Sequence, residues 1–182
     1  MLRNTTIIAI CLMSSFVCRA QIEIAHANVK GFSSTGFGVF LNFSQPVSQA
    51  SSITLEGGLQ YFVNRFSEDL GLIPVVLGYR YTLGGNETGI YIEPAAGYNL
   101  GSSTIAKFSA NRSPVTDASG RQVYEKVSGP MAGLGVGYLL QPVGRFQFNV
   151  GLHYKYTFAD ARSNVLALRV AHSFSFSRRD YD

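Results

Sequence analysis

From Gln21 onward, apolar residues recur at every second position, and no stretch shows a sustained helical repeat. The clearest run is 145–158. Phe146, Phe148, Val150, Leu152, Tyr154, Tyr156 and Phe158 share one face, opposite Arg145, Gln147, Asn149, Gly151, His153, Lys155 and Thr157. The same two-faced pattern covers 36–44, 53–63, 73–81, 90–99, 131–140 and 166–176. A chain written this way can satisfy its backbone only by pairing strands edge to edge, with one apolar face and one polar or small face. Composition agrees. Charged residues are 14% of the chain, against an average of about 25%, while Gly reaches 19 and Tyr and Phe reach 10 and 13. Disordered, coiled-coil, collagen-like and helical-solenoid classes are excluded on these grounds.

The strand count rests on the connections. Segment 22–31, IEIAHANVKG, carries the weakest alternation, and its inclusion makes eight strands rather than seven. With eight, the connections fall into two sets. Gln45–Ala50, Leu83–Thr88 and Gln141–Gly144 are short and hold Gln45-Pro46, Gly84-Gly85-Asn86 and Gln141-Pro142, all turn chemistry. Phe32–Thr35, Asn64–Gly71, Leu100–Val127 and Ala159–Ser163 form the opposite set, which contains the one long loop. Short turns on one side, longer loops on the other, an even count and both termini on the turn side are the plan of a bacterial outer-membrane barrel. The predicted fold class is therefore all-β, an eight-stranded antiparallel up-and-down transmembrane β-barrel behind a signal peptide.

The first residues supply the export signal. Arg3 gives a positive start, Thr5–Val17 an apolar core shorter than a membrane-spanning helix, and Cys18-Arg19-Ala20 a small-residue cleavage site before Gln21. The expected organisation is 1–20 signal peptide, 21–176 barrel and 177–182 a short periplasmic tail. Both cysteines, Cys11 and Cys18, lie in the signal, so the mature chain is expected to have no disulfide and no thiolate chemistry. Removal of Arg3 and Arg19 takes Lys+Arg from 15 to 13 against 11 acids, so the net charge falls from +4 to +2. That small excess, without a basic stripe, argues against nucleic acid as a partner.

Periodicity leaves open which face is outside, because a soluble eight-stranded barrel would bury the apolar face instead. Three features favour apolar side chains outward. The polar faces carry opposing charges, Glu56, Arg80 and Glu93, then Lys155 and Arg169, which could pair across a narrow lumen. They are also rich in small residues such as Gly133, Gly135, Gly137, Ala167 and Ala171, which suit a crowded eight-stranded interior. Aromatics cluster at the strand ends: Tyr79, Tyr81, Tyr91, Tyr138, Phe174 and Phe176 on the turn side, and Tyr61, Tyr98, Tyr154, Tyr156 and Phe158 on the loop side. These are expected to form two interfacial girdles.

In this architecture the chain resembles the small bacterial outer-membrane β-barrel proteins, the OmpX/OmpW-like and OmpA-barrel class of the porin-family barrels, over residues 21–176. The resemblance includes the C-terminal signal read by the barrel-assembly machinery: a polar residue, Gly two positions on, then aromatic-x-aromatic. Arg169, Ala171, Phe174 and Phe176 occupy those positions, with Ala171 in place of the Gly, and the chain continues six residues beyond Phe176. The resemblance implies an outer-membrane location of the Gram-negative type, reached through the periplasm. Its implied partners are outer-membrane lipid, lipopolysaccharide and the assembly machinery, with the protein a monomer.

No chemical motif stands out. The resemblance brings in some barrels that modify lipids with His and Ser near the outer leaflet, but here His172 falls near the turn side, at the wrong depth. His153 points into the lumen as a polar interior residue, and His26 lies on the least patterned strand. No Ser-His-Asp set can be assembled and no metal-ligand spacing appears. The expectation is a protein without catalytic, cofactor or metal residues, and not an enzyme. The best candidate for contacts is the 100–127 loop, whose Lys107, Arg112, Arg121 and Lys126 outnumber Asp117 and Glu125 by two charges. The leading expectation is a structural, surface-interaction or envelope-integrity role. The alternatives are a narrow porin-like channel or transporter for small solutes and a soluble lipocalin-like binding barrel, although the Trp usual near the lipocalin N-terminus is missing.

Overall fold

The computed structural model describes residues 17–29, 32–63, 69–84, 88–101, 104–106, 115–140 and 147–174. Its strands are β1 (Val17–Val29), β2 (Phe32–Pro46), β3 (Ser51–Val63), β4 (Asp69–Leu72), β5 (Pro74–Thr82) and β6 (Gly89–Asn99), followed by β7 (Thr104–Ala106), β8 (Tyr124–Lys126), β9 (Gly129–Leu140), β10 (Gln147–Thr157) and β11 (Ser163–Phe174). β4 and β5 both pair with β3 and are separated only at Ile73, so they form one stave. The nine strands of the main sheet are therefore eight staves. β1 pairs with both β2 and β11, which closes the sheet on itself, and every pairing is antiparallel. Closure leaves the main sheet without a free edge among the described residues and pairs its backbone within the barrel, as a lipid surrounding demands.

The alternation runs through every stave. Ile22, Ile24, Phe37, Val39, Leu41, Leu55, Leu59, Leu77, Val136, Leu152, Leu168 and Val170 are exposed on the outer surface, with Ile22 65% and Ile24 64% exposed. Inward positions are buried and mostly polar or small: Gln21, Glu23, Asn42, Thr54, Glu56, Gln60, Arg80, Glu93, Asn149, His153, Lys155, Ala167, Arg169 and Ala171. A continuous apolar exterior over a polar interior reverses the pattern of a soluble barrel, so the lipocalin-like reading is overturned.

Several sequence expectations need correction. The first strand, expected from residue 22, begins at Val17, four residues before the expected cleavage point. Its alternation continues backward, with Arg19 buried and Ala20 exposed in phase with Glu23 and Ile24. Phe32–Thr35, expected as a loop, is the start of β2, because the β1–β2 register stays unbroken from Val17↔Ser44 to Val29↔Phe32. Asp69–Gly71, likewise expected as loop, belongs to β4. Tyr91, counted with the turn-side girdle, is fully buried in the lumen because it shares the parity of Glu93. Residues 1–16 of the expected signal and the 177–182 tail lie outside the described residues.

Candidate functional site

Six charged residues of the inner face gather into two connected sets, and a seventh, Arg19, is buried toward the turn-side end. Arg169, on β11, is the hub of the first and is 1% exposed. Its Nε and Nη2 donate to Glu23 Oε2 at 3.1 and 2.7 Å. Nη2 also reaches Glu56 Oε1 at 3.1 Å, and Nη1 bonds Glu56 Oε2. Lys155 Nζ donates to Glu56 Oε1 at 3.2 Å, and Gln60 Nε2 donates to Glu23 Oε1. Phe40 lies beneath both cations, its ring centroid 4.2 Å from Lys155 Nζ and 4.6 Å from Arg169 Cζ. In the second set, Arg80 Nε and Nη2 hold Glu93 Oε2 at 2.9 and 2.6 Å, and Thr54 Oγ1 donates to Glu93 Oε1 at 2.6 Å. The Arg80 guanidinium stacks 4.6 Å from the Tyr91 ring centre.

Local sequence explains why these long side chains fit. Inward glycines leave the volume they occupy. A Cβ on Gly135 would lie 2.6 Å from His153 Cε1, and one on Gly78 would lie 3.0 Å from Glu93 Oε1. The His153 ring, buried beside Gly135, approaches the Tyr91 hydroxyl with Nε2 at 3.4 Å. A cavity of about 20 Å³ lined by Thr54, Glu56, Glu93, His153 and Lys155 remains, with room for one water molecule. Buried charges in such a space persist only when each is paired and hydrogen-bonded, and the two sets provide that. The arrangement can brace staves against one another and block the lumen.

All five charges singled out from sequence, Glu56, Arg80, Glu93, Lys155 and Arg169, lie in the lumen, each paired with an opposite charge. Glu56 meets Lys155 and Arg169 across the barrel, while Arg80 turns to Glu93. Glu23, Gln60, Phe40 and Tyr91 were missed as members. Their inward parity was the available signal, and Glu23 lies directly opposite Arg169 in the β1–β11 register.

Above the loop-side end, β7 and β8 pair as a short hairpin within the 100–127 segment. Arg121 and Lys126 are exposed there, whereas Lys107 and Arg112 lie outside the described residues. The same segment holds an Asx-type turn between the bridged residues Thr116 and Gln122. Asp117 Oδ1 accepts bonds from the Ser119 amide at 2.8 Å, the Ser119 hydroxyl at 2.6 Å and the Arg121 amide at 2.9 Å, with Gly120 at a φ of 78°. Those donors, the Ser119 hydroxyl foremost, hold the Asp117 carboxyl below its ordinary value.

Of the expected assembly signal, Arg169 and Ala171 point inward, the Phe174 backbone pairs with Cys18, and Phe176 lies outside the described residues. His172 sits on the outer face, its ring edge-on to Phe148 at 4.9 Å. His26, also outward, has Nδ1 3.1 Å from Thr35 Oγ1 and Nε2 3.2 Å from Ser33 Oγ. Among the described residues no group of three or more His, Cys, Asp or Glu could hold a metal ion.

Comparison with known proteins places this geometry. No curated protein matches the chain in sequence. Among solved structures, Neisserial surface protein A (NspA) is similar at 14% identity and a TM-score of 0.62, over 88% of this chain and 97% of that one. The attachment invasion locus protein Ail of Yersinia pestis, solved with the heparin analogue sucrose octasulfate, is similar at 13% identity and a TM-score of 0.57, over 87% and 97% of the two chains. At these identities the likeness concerns the fold. The family model of the outer membrane protein β-barrel domain matches residues 17–176. The chain belongs to that outer membrane protein β-barrel family, and its place is the outer membrane.

Proposed function

We propose that the protein is a non-enzymatic surface and envelope protein, in which a sealed barrel serves as anchor and the loop-side end makes contacts. The observation that carries this reading is the shared grip of Arg169 on Glu23 and Glu56, which spans the lumen at the point where a channel would need to be open. Lys155 and the Phe40 ring lie beside it, and the cavity next to Lys155 has room for about one water molecule. The proposed partners are outer-membrane lipid and lipopolysaccharide, whose anionic groups would meet Arg121 and Lys126, together with the barrel-assembly machinery during insertion. The protein is proposed to act as a monomer.

Planar-bilayer recording of the purified full chain tests the sealed-anchor reading. The expected result is no steady unit conductance. A reproducible unit conductance would replace the anchor with the narrow channel for small solutes.

A further inference from the structure

The lumen is not the same at its two ends. Toward the loops it is filled by a contiguous buried apolar cluster that includes Ala27, Val29, Phe62, Leu70, Val127 and Val165. Toward the turns and termini the inward residues are mostly polar: Arg19, Gln21, Asn42, Ser44, Thr82 and Asn149 are buried there, with Tyr91 and Leu139 among them. Gln21 and Asn42 are buried at 2% and 0% exposure, and among the described residues neither the nitrogen nor the oxygen of either amide has a hydrogen-bond partner. Nη1 of Arg80 is in the same condition, although its other two nitrogens hold Glu93. The pairing register places these groups next to the ion pairs: Asn42 lies opposite Glu56, and Gln21 is two positions from Glu23.

One small buried residue lies among them. Ala171 is the cross-strand partner of both Gln21 on β1 and Asn149 on β10, and all three face inward. Its methyl lies in a row between two amide side chains, and among the described residues neither amide atom of Asn149 has a hydrogen-bond partner. Buried amides left unpaired by protein groups are a recurrent mark of ordered water, which needs two to four polar partners and a little space. The apolar cluster offers neither. Its neighbour Ser163 carries the one orphan on that side among the described residues, a single rotatable hydroxyl.

We propose that the periplasmic half of the lumen is a hydrated chamber seated on Ala171, and that water reaches the ion-pair belt from the periplasm and stops at the apolar outer plug. The belt then exchanges water and protons with the periplasm and not with the cell exterior. Dry apolar constrictions block passage in the same way in hydrophobic gates. The proposal rests on the sealed lumen, yet its test reads differently: conductance reports a through-path, whereas contact with water reports which end is wet.

The experiment is water-to-protein cross-relaxation by NMR on the folded full chain in deuterated detergent micelles, with labelled alanine methyls and side-chain amides. Water cross-peaks are expected at the Ala171 methyl and at the Gln21 and Asn42 amides, and none at the methyls of Ala27 and Ala167. Ala171→Val, checked as folded by its unboiled gel migration, is expected to remove the water cross-peak from the Gln21 amide. Silence at Ala171, or water contact at Ala27 and Ala167, would overturn the one-sided chamber.

Discussion

The guanidinium of Arg169 on β11 grips the carboxylate of Glu56 on β3, 113 positions away in the chain, through Nη1 and Nη2, and holds Glu23 on neighbouring β1 through Nε and the shared Nη2. The contact crosses the lumen rather than following the sheet. It ties the last stave to the third and makes the closed barrel a braced cylinder. Charges this deeply buried are costly alone, so the value of each depends on its partners.

Arg169→Met should leave Glu23 with only Gln60 and Glu56 with only Lys155. Loss of one partner from a buried ion pair typically costs about 3–5 kcal/mol. Urea unfolding of the barrel in lipid vesicles, followed by unboiled gel migration because the chain has no Trp, should show a loss of that size. The double variant Glu23→Gln with Arg169→Met should recover part of it. An unchanged midpoint for Arg169→Met would show that the belt does not brace the fold.

The outward face can be probed with a charge. Leu168, midway along β11, is exposed on the outer surface, and Leu83 lies just beyond the turn-side end of β5. Leu168→Arg should cost about 2–4 kcal/mol and Leu83→Arg about 0–1, following depth in the bilayer. Equal and negligible costs from the same unfolding assay would mean that Leu168 does not meet lipid.

Gly135 gives a packing test. A side chain there would collide with the His153 ring, 2.6 and 2.7 Å from Cε1 and Nδ1. Gly135→Val should therefore destabilise by about 1–3 kcal/mol, the usual cost of overpacking. Combining it with His153→Ala should relieve most of that loss, and a fully additive double variant would place the strain elsewhere.

The turn at Asp117 should respond to acid. The Asp117 carboxyl is held below its ordinary 3.8 by the Ser119 hydroxyl and the two amides, so it favours the folded turn while ionised. Its contribution is full above pH 3.8 and is lost as pH falls through the lowered value. The Ser119 and Arg121 amide resonances should shift together in that acid range, and Asp117→Ala should abolish the transition. Amides that do not titrate would remove Asp117 as the turn's anchor.

Much of the barrel is legible in the chain because a strand sends alternate side chains to opposite faces. Ile53, Leu55, Leu59 and Tyr61 could be assigned outward and Thr54, Glu56, Gln60 and Phe62 inward from parity alone, and they lie there. Parity also carried the information that Tyr91 faces the lumen, yet its aromatic ring and its nearness to a strand end put it with the girdle. Phe32–Thr35 reads as a loop because Ser33, Ser34 and Thr35 look like loop composition. In the structure they continue a ladder against β1, where exposed Ser33 and Thr35 meet His26.

What the sequence determined by itself is the two-sided code: the number of staves, the direction each side chain faces, the turn and loop ends and the set of charges that had to share an interior. Only the tertiary structure decided who meets whom. Glu56 could have turned to Arg80 on the next stave, but closure of β1 on β11 brings Glu23 and Arg169 side by side, and the narrow lumen carries Arg169 and Lys155 across to Glu56. Those distances depend on register and curvature summed over the whole sheet, which no local pattern of residues encodes.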